Sequence, residues 1–352
     1  MIKETTVAGI FLERDGAHLL RSKARKISLN EPWEFDFIDQ MKVKWNPNDP
    51  NEAREGLNKL GSMIRDVGSD LKSVAVASYG PFVSLDRDND RYGEIHNSTA
   101  DSPLTGFKLK DILRESFGQK TNATSGPILT FHTDADACAL GEAFERKIKN
   151  NEILGYLCVT EGVGFGLVRG REILRSALHP EIGLIHIRLM PDDPLIPTHS
   201  HIQYAGGLEQ YAANKSLYER FSKLTSNNSP KFEDIIHYHD DKLWDIRAYY
   251  IAQACLACTT VFPPHFLVIG AGIDPNNDVG IRVQRMFDGF LRERLKTEQP
   301  VFEYEALSKD DFISSSGISN NNESSNNIGY VGVIGMCHVA AEETLRGHVH
   351  KI

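Results

Sequence analysis

Thr133-Asp134-Ala135-Asp136-Ala137-Cys138-Ala139-Leu140-Gly141-Glu142 follows directly on the apolar run Ile128–Phe131. The run reads as a strand, and Thr133–Lys149 as a long helix. Thr133 is placed to cap that helix with Asp136 at its third position, so a capping box accounts for both residues. It does not require Asp134. A carboxylate where a strand's carboxyl end meets a helix N-terminus is well placed for general-base work in an α/β fold. Strands and helices alternate around this stretch. Leu71–Ser78 is apolar enough for a sheet covered on both faces, and it runs into Tyr79-Gly80-Pro81. Phe107–Phe117 predicts a helix and Gly155–Thr160 a strand. Arg247–Phe262 predicts a buried helix, and Phe266–Ile269 a buried strand ending in Gly270-Ala271-Gly272. From about residue 70 onward the pattern is that of α/β layers.

Outside this region, Thr5–Leu12 and Ala17–Ser22 predict a hairpin turning at Asp15-Gly16. Glu31–Asn51 reads as a loop-rich excursion. Asn51–Val67 is an amphipathic helix with Ala53, Leu57, Leu60 and Ile64 at helical spacing. Residues 314–327 are rich in Ser and Asn and read as a flexible surface insertion, and Gly329–Leu345 ends in a helix.

The chain has 352 residues, with 39 Lys+Arg against 48 Asp+Glu for a net charge of −9. Hydrophobic residues at 41% and charged residues at 25% exclude a disordered chain and fit two domains of ordinary size. Net negative charge disfavours nucleic acid and anionic membrane as general partners. The start shows no secretory signal, and no apolar stretch approaches the ~20 residues that cross a bilayer. Five thinly spread cysteines point to a reduced, cytoplasmic protein. Cys255 and Cys258 form a CxxC inside an apolar helix. Without a second pair or clustered histidines, buried free thiols are the better account. His199 and His201 lie in a polar loop without zinc-site spacing, so no metal is expected there.

Val159-Thr160-Glu161-Gly162-Val163-Gly164-Phe165-Gly166 places glycines at alternate positions after a strand. Exposed N–H groups in such a turn cradle phosphate; a plain hairpin turn explains the pattern equally well. The dinucleotide fingerprint is missed. Glu161, a carboxylate among the donors, would repel phosphate.

Taken in order, several segments resemble the ROK family of sugar kinases, in particular its bacterial fructokinase branch. They are Ser78-Tyr79-Gly80-Pro81-Phe82, Tyr92–Ile95, Gly106–Leu109, Thr133–Glu142, Val159–Gly166, His179-Pro180-Glu181-Ile182-Gly183, Leu208-Glu209 and Phe262–Ile273. The resemblance implies an actin-like ATPase fold, with two ribonuclease-H-like α/β domains flanking a central cleft. Residues 1–130 would form the domain with the sugar loop, rejoined by a last helix at about 338–352, and 131–337 the C-terminal domain. It implies transfer of the γ-phosphoryl group of Mg-ATP to a sugar hydroxyl, with Asp134 as general base. Gly80, Pro81, Glu181 and Glu209 would hold the sugar. Gly162, Gly164 and Gly166 would face the phosphates, and Gly270 and Gly272 the adenosine. A homodimer is the family expectation. Phosphoryl transfer depends mostly on positioning and charge neutralisation, which suits this division of labour.

The departures from the family cluster on the phosphate side. No Asp-x-Gly-Gly turn exists. Thr6–Ile10 reads as the strand after that turn, so the first core strand is expected to be missing. Glu161 stands where the family has a hydroxyl. Leu184 stands where the family has a zinc-binding His, and His201, Tyr204 and Gly207 stand where it has cysteines, so no structural zinc is expected. Asp136 replaces the family's Asn. Losing a backbone cradle and a hydroxyl donor costs about 3 kcal/mol or more of transition-state stabilisation, at least about a hundredfold in rate. Two expectations follow. One is a fructokinase-like kinase with an altered phosphate site. The other is a catalytically inactive homologue acting as a sugar-binding sensor or a protein-interaction scaffold. No helix-turn-helix fits ahead of Thr6, and the charge also disfavours a DNA role.

Overall fold

The computed structural model describes residues 3–28, 32–66, 70–97, 102–118, 126–174, 180–195, 206–276, 278–295, 313–315 and 328–349. The chain divides into two compact units. One is Met1–Glu145 with Arg175–His179 and Gly329–Ile352; the other is Arg146–Leu174 with Pro180–Ile328.

In the first unit, Lys3–Glu13 (β1), Gly16–Lys26 (β2), Glu34–Lys44 (β3), Leu71–Ser78 (β4) and Ile128–Thr133 (β5) form one sheet in the order β3-β2-β1-β4-β5. β1–β2 and β2–β3 pair antiparallel, whereas β1–β4 and β4–β5 pair parallel. The apolar runs in β1 and β4 are buried throughout because helices cover both faces. Ala8, Ile10 and Leu12 share a core with Ala53, Leu57, Leu60 and Ile64 of Pro50–Asp66 (α1) and with Leu109, Ile112 and Leu113 of Leu109–Ser116 (α2). On the other face lie Asp134–Glu145 (α3) and the last helix (Ile328–Val349). Gly9 makes that packing possible: a Cβ there would sit 2.5 Å from the Val333 carbonyl oxygen and 2.9 Å from the Cys337 nitrogen. Gly335 meets the Ala137 carbonyl of α3 in the same way.

Three sequence expectations change here. The first core strand is present: β1 holds the centre of the sheet and lies parallel to β4. Strand position within a sheet is a tertiary property, invisible in a local apolar run. The stretch read as a loop-rich excursion contains β3, an edge strand whose polar/apolar alternation is interrupted at Ile38, where its pairing with β2 slips. The division between units falls after Glu145 rather than after residue 130, because α3 packs with β4 and β5.

In the second unit, Ile153–Val159 (β6), Val163–Arg169 (β7), Glu172–Ile173 (β8), Phe266–Ala271 (β9) and Ile313–Ser315 (β10) are ordered β10-β9-β6-β7-β8. β6–β7 and β7–β8 are antiparallel; β6–β9 and β9–β10 are parallel. Read from β8, this is the topology of the first sheet repeated. Glu209–Ala212 (α4) leads into Asn214–Thr225 (α5), followed by Phe232–Ile236 (α6). Asp241–Val261 (α7) and Val279–Leu295 (α8) cover the sheet with Tyr250, Ile251, Val283 and Phe287 in the core. The last helix of the chain is therefore α9, running from Ile328 rather than from about 338.

Ser314 and Ser315 belong to β10, and the remainder of the 314–327 segment lies outside the described residues. All five cysteines are free and buried. Burial pushes the Cys258 thiol up to about 12 and Cys255 well above its usual value, so neither is a ready thiolate. No described helix is long and apolar enough to cross a membrane.

Candidate functional site

The three parallel strands of the first unit end in register: Leu12 opposes Ser78, and Ser78 opposes Thr133. Ligands in open α/β sheets bind outside such carboxyl ends. Arg14, Tyr79 and Asp134 follow them in a row. Asp134 opens α3 and is half-buried; its Oδ1 accepts the Ala135 N–H at 2.8 Å. Thr133 Oγ1 accepts the Asp136 N–H at 3.1 Å, so the expected N-cap forms. The helix N-terminus favours an ionised Asp134. Tyr79 shares a 2.6 Å hydrogen bond with Ser102 Oγ. Burial pushes its phenol up to about 12, with Ser102 and Arg14 opposing and Asp134 adding, so Tyr79 stays protonated. Gly80 and Pro81 come next, and the Pro81 carbonyl accepts the His96 N–H at 2.9 Å.

The β1–β2 connection is a two-residue hairpin, Arg14-Asp15, between the paired Glu13 and Gly16. Trp45 pins it: Nε1 donates to the Arg14 carbonyl at 2.8 Å, and the backbone N–H donates to the Asp15 carbonyl at 3.0 Å.

In the second unit the matching connection, β6–β7, is Thr160-Glu161-Gly162, closed by Thr160 N–H donating to the Gly162 carbonyl at 2.9 Å. Pairing resumes at Val163, so Gly164 and Gly166 are strand residues opposite Cys158 and Tyr156, not part of the turn. That corrects the longer Gly162–Gly166 turn expected from sequence. Glu209 Oε2 accepts the Val163 N–H at 3.0 Å. A Cβ on Gly162 or Gly183 would come within 3.0 or 2.9 Å of that same oxygen, so the hairpin, Gly183 and Glu209 converge. Glu209 remains reachable by solvent but is crowded by protein. Desolvation raises its pKa, the Val163 N–H opposes this, and the charge of Glu181 adds to it. Glu181 and Glu209, both anticipated from sequence, are thus neighbours.

Gly270 and Gly272 end β9. Gly272 N–H donates to the Val159 carbonyl at 2.8 Å. A Cβ at Gly272 would lie 2.9 Å from Asn214 Nδ2, and one at Gly270 would overlap the Tyr156 hydroxyl. Packing alone therefore demands both glycines.

Sequence reasoning missed Arg14, Asn214 and Arg247, and gave Tyr79 no role of its own within the Ser78–Phe82 loop. Arg247 is buried in α7 and donates to the carbonyls of Ala212 (3.1 Å), Ile273 (2.6 Å) and Val159 (3.2 Å) and to Asn214 Oδ1 (2.9 Å). Asn214 N–H donates to the Thr160 carbonyl at 2.7 Å, and its Nδ2 to Glu161 Oε2 at 3.2 Å. Burial lowers Arg247 to about 10, while the charges of Asp274 and Glu161 hold it up. Glu161 is thus engaged by this network. The sole signal in the sequence was an arginine within an apolar run, Ile246-Arg247-Ala248. Among the described residues no group of three or more His, Cys, Asp or Glu could hold a metal ion. His179, His199, His201 and Tyr204 lie outside the described residues, whereas Leu184 is exposed.

A sequence profile of the ROK family matches residues 34–319. A fructokinase of Streptococcus mutans serotype c is 28% identical over 267 residues, covering 72% of this chain and 79% of that protein. A fructokinase of Lactococcus lactis subsp. cremoris is 28% identical over 235 residues, 66% of this chain and 73% of that protein. Among solved structures, a ROK hexokinase from Thermus thermophilus superposes with a TM-score of 0.62 at 18% identity, covering 97% of this chain and all (100%) of that one. A ROK family glucokinase from Streptomyces griseus, solved with glucose and AMPPNP, has a TM-score of 0.59 at 16% identity, again over 97% and 100%. The fold is the actin-like ATPase type, with ribonuclease-H-like α/β units.

Proposed function

The chain belongs to the ROK family, and on that premise we propose that it is an ATP-dependent sugar kinase of fructokinase type. Asp134 takes the proton of the attacking sugar hydroxyl. Its place carries this proposal: a carboxylate held by a helix start at the carboxyl edge of the sheet, beside the Tyr79-Gly80-Pro81 loop. A loose phosphoryl-transfer transition state asks little of the base beyond position. In the second unit, Glu181 and Glu209 accept hydrogen bonds from other sugar hydroxyls, with Glu209 oriented by the Val163 N–H. The Thr160–Gly162 backbone faces the phosphates, and Gly270 to Gly272 border the adenosine. Mg-ATP supplies the phosphoryl group. The curated fructokinase relatives support a ketohexose or hexose acceptor.

The alternative, a non-catalytic sugar-binding sensor or scaffold, draws on the missing Asp-x-Gly-Gly turn and on Glu161. Coupled ADP release over fructose, mannose, glucose and N-acetylmannosamine separates the two. The kinase turns over at least one of these sugars. Calorimetric sugar binding without turnover or Mg-ATP binding would establish the alternative instead.

A further inference from the structure

Arg14 occupies the tip of the β1–β2 hairpin, at the carboxyl end of the central strand. Its neighbours in sequence have partners. Glu13 Oε2 lies 3.0 Å from His18 Nε2, and Asp15 lies 3.9 Å from Lys44 Nζ. The Arg14 guanidinium pairs with no carboxylate among the described residues, and its Nε is buried without an acceptor. The hairpin that carries it is anchored by both hydrogen bonds from Trp45, itself buried. Gly16 lies against β3 so closely that a Cβ would fall 2.5 Å from the Val43 carbonyl oxygen. The hairpin is therefore held in place, and one buried donor of the half-buried Arg14 has no protein acceptor, an unfavourable arrangement unless a ligand brings one. Arg14 and Asp134 follow strands that end in register on either side of β4, and both charges act on the Tyr79 phenol that follows β4. With strands about 4.8 Å apart, β1 and β5 are separated by about 10 Å. That span accommodates a small anionic group between the cation and the base.

Resting on the kinase reading above, we propose that Arg14 binds the γ-phosphoryl group in transfer, a guanidinium doing the work of the glycine-rich backbone cradle this sequence lacks. A planar guanidinium offers paired donors to two phosphoryl oxygens. In the transfer, the sugar oxygen forms a bond to the γ-phosphorus and the bond to the β,γ-bridging oxygen breaks. The leaving electron pair stays on ADP, and the hydroxyl proton goes to Asp134. Arg14 neutralises the equatorial oxygens throughout, a role for which a positioned arginine is worth about 10³–10⁵ in rate.

Arg14→Met and Arg14→Lys in the full chain test this by titration calorimetry with Mg-ATP and Mg-ADP, by turnover and by thermal melting. For Arg14→Met we expect Mg-ATP binding weaker by about 10–100-fold and kcat lower by about 10²–10³-fold. Mg-ADP and sugar affinities stay within about twofold and the melting midpoint does not fall, because ADP lacks the contacted group. Arg14→Lys recovers part of the ATP affinity. Equal loss of ATP and ADP binding together with a lower midpoint would reduce Arg14 to a structural residue and overturn the proposal. So would an Arg14→Met enzyme that matches wild type while wild type transfers phosphate; that result leaves the kinase reading standing. A wild-type chain that neither binds Mg-ATP nor transfers phosphate overturns both.

Discussion

The two units build the same five-stranded topology and place a hairpin at the same point in it, yet the hairpins carry different side chains: an Arg beside an Asp in one, a lone Glu in the other. In the first unit the connection is Arg14-Asp15, fixed from outside by Trp45, with the guanidinium unpaired among the described residues. In the second it is Thr160-Glu161-Gly162, fixed from beneath by Arg247 through Asn214, with Glu161 drawn into that network. The shorter turn holds an arginine whose Nε is buried without an acceptor, and the anion on the longer turn has a partner. Glu161 seemed, from sequence, a carboxylate aimed at phosphate. Its hydrogen bond to Asn214 and its charge opposite the buried Arg247 give it a structural use. On the proposed kinase reading, the two turns facing the phosphates then differ in kind: one presents a cation, and the other is a backbone turn with its acid tied back.

Several changes sharpen or break that contrast. The largest effect belongs to the first unit's edge. Asp134→Asn lowers kcat by about 10²–10⁴-fold while sugar affinity measured by calorimetry changes little; a loss confined to KM would assign Asp134 to binding. The next is the anchor of the second hairpin. Arg247→Met leaves the Ala212 and Ile273 carbonyls and the Asn214 amide oxygen without this donor, while the Val159 carbonyl keeps the Gly272 N–H. At about 1–3 kcal/mol for each unsatisfied buried group, a loss of roughly 4 kcal/mol is expected in denaturant unfolding. A change below about 1 kcal/mol would show that the network does not hold the turn. The first hairpin has the lighter anchor: Trp45→Phe removes one hydrogen bond and costs about 1 kcal/mol. If its cost equalled that of Arg247→Met, the two anchors would not differ as described.

The smallest effect is a pH dependence. Glu209 has its pKa raised by burial, so the folded state holds that proton more tightly than the unfolded chain. Folding stability from this group is then lost as pH rises from the ordinary carboxylate value through the raised one. Glu209→Gln removes that loss while its amide oxygen still accepts the Val163 N–H. Thermal melts at pH 4 and pH 7 should therefore show the variant gaining on wild type at the higher pH. Parallel pH profiles for the two proteins would contradict the assignment.

Much of this was readable from the chain. The alternation of apolar runs with helical periodicity located β4, β5, α3 and α7, and Thr133 caps α3 as its position predicts. Glu181 and Glu209, 28 residues apart in sequence, are close enough for the charge of one to act on the other. What stayed hidden was tertiary. The central place of β1 depends on which strand it pairs with, and no local pattern records that. β3 alternates in two short stretches, Phe35/Phe37 and Met41/Val43, interrupted at Ile38, where the pairing with β2 slips by one residue. Arg247 reads as a polar interruption until its four acceptors are seen together. Arg14 is one arginine in a charged turn until the absence of a paired carboxylate among the described residues becomes visible.

Detection of the product by ³¹P NMR tests the central claim most directly. The wild-type chain is incubated with Mg-ATP and fructose, then with mannose and glucose. A phosphomonoester signal growing in step with ADP, and lost in Asp134→Asn, is the predicted result. ATP left intact, or cleaved to inorganic phosphate with every sugar unmodified, would contradict it.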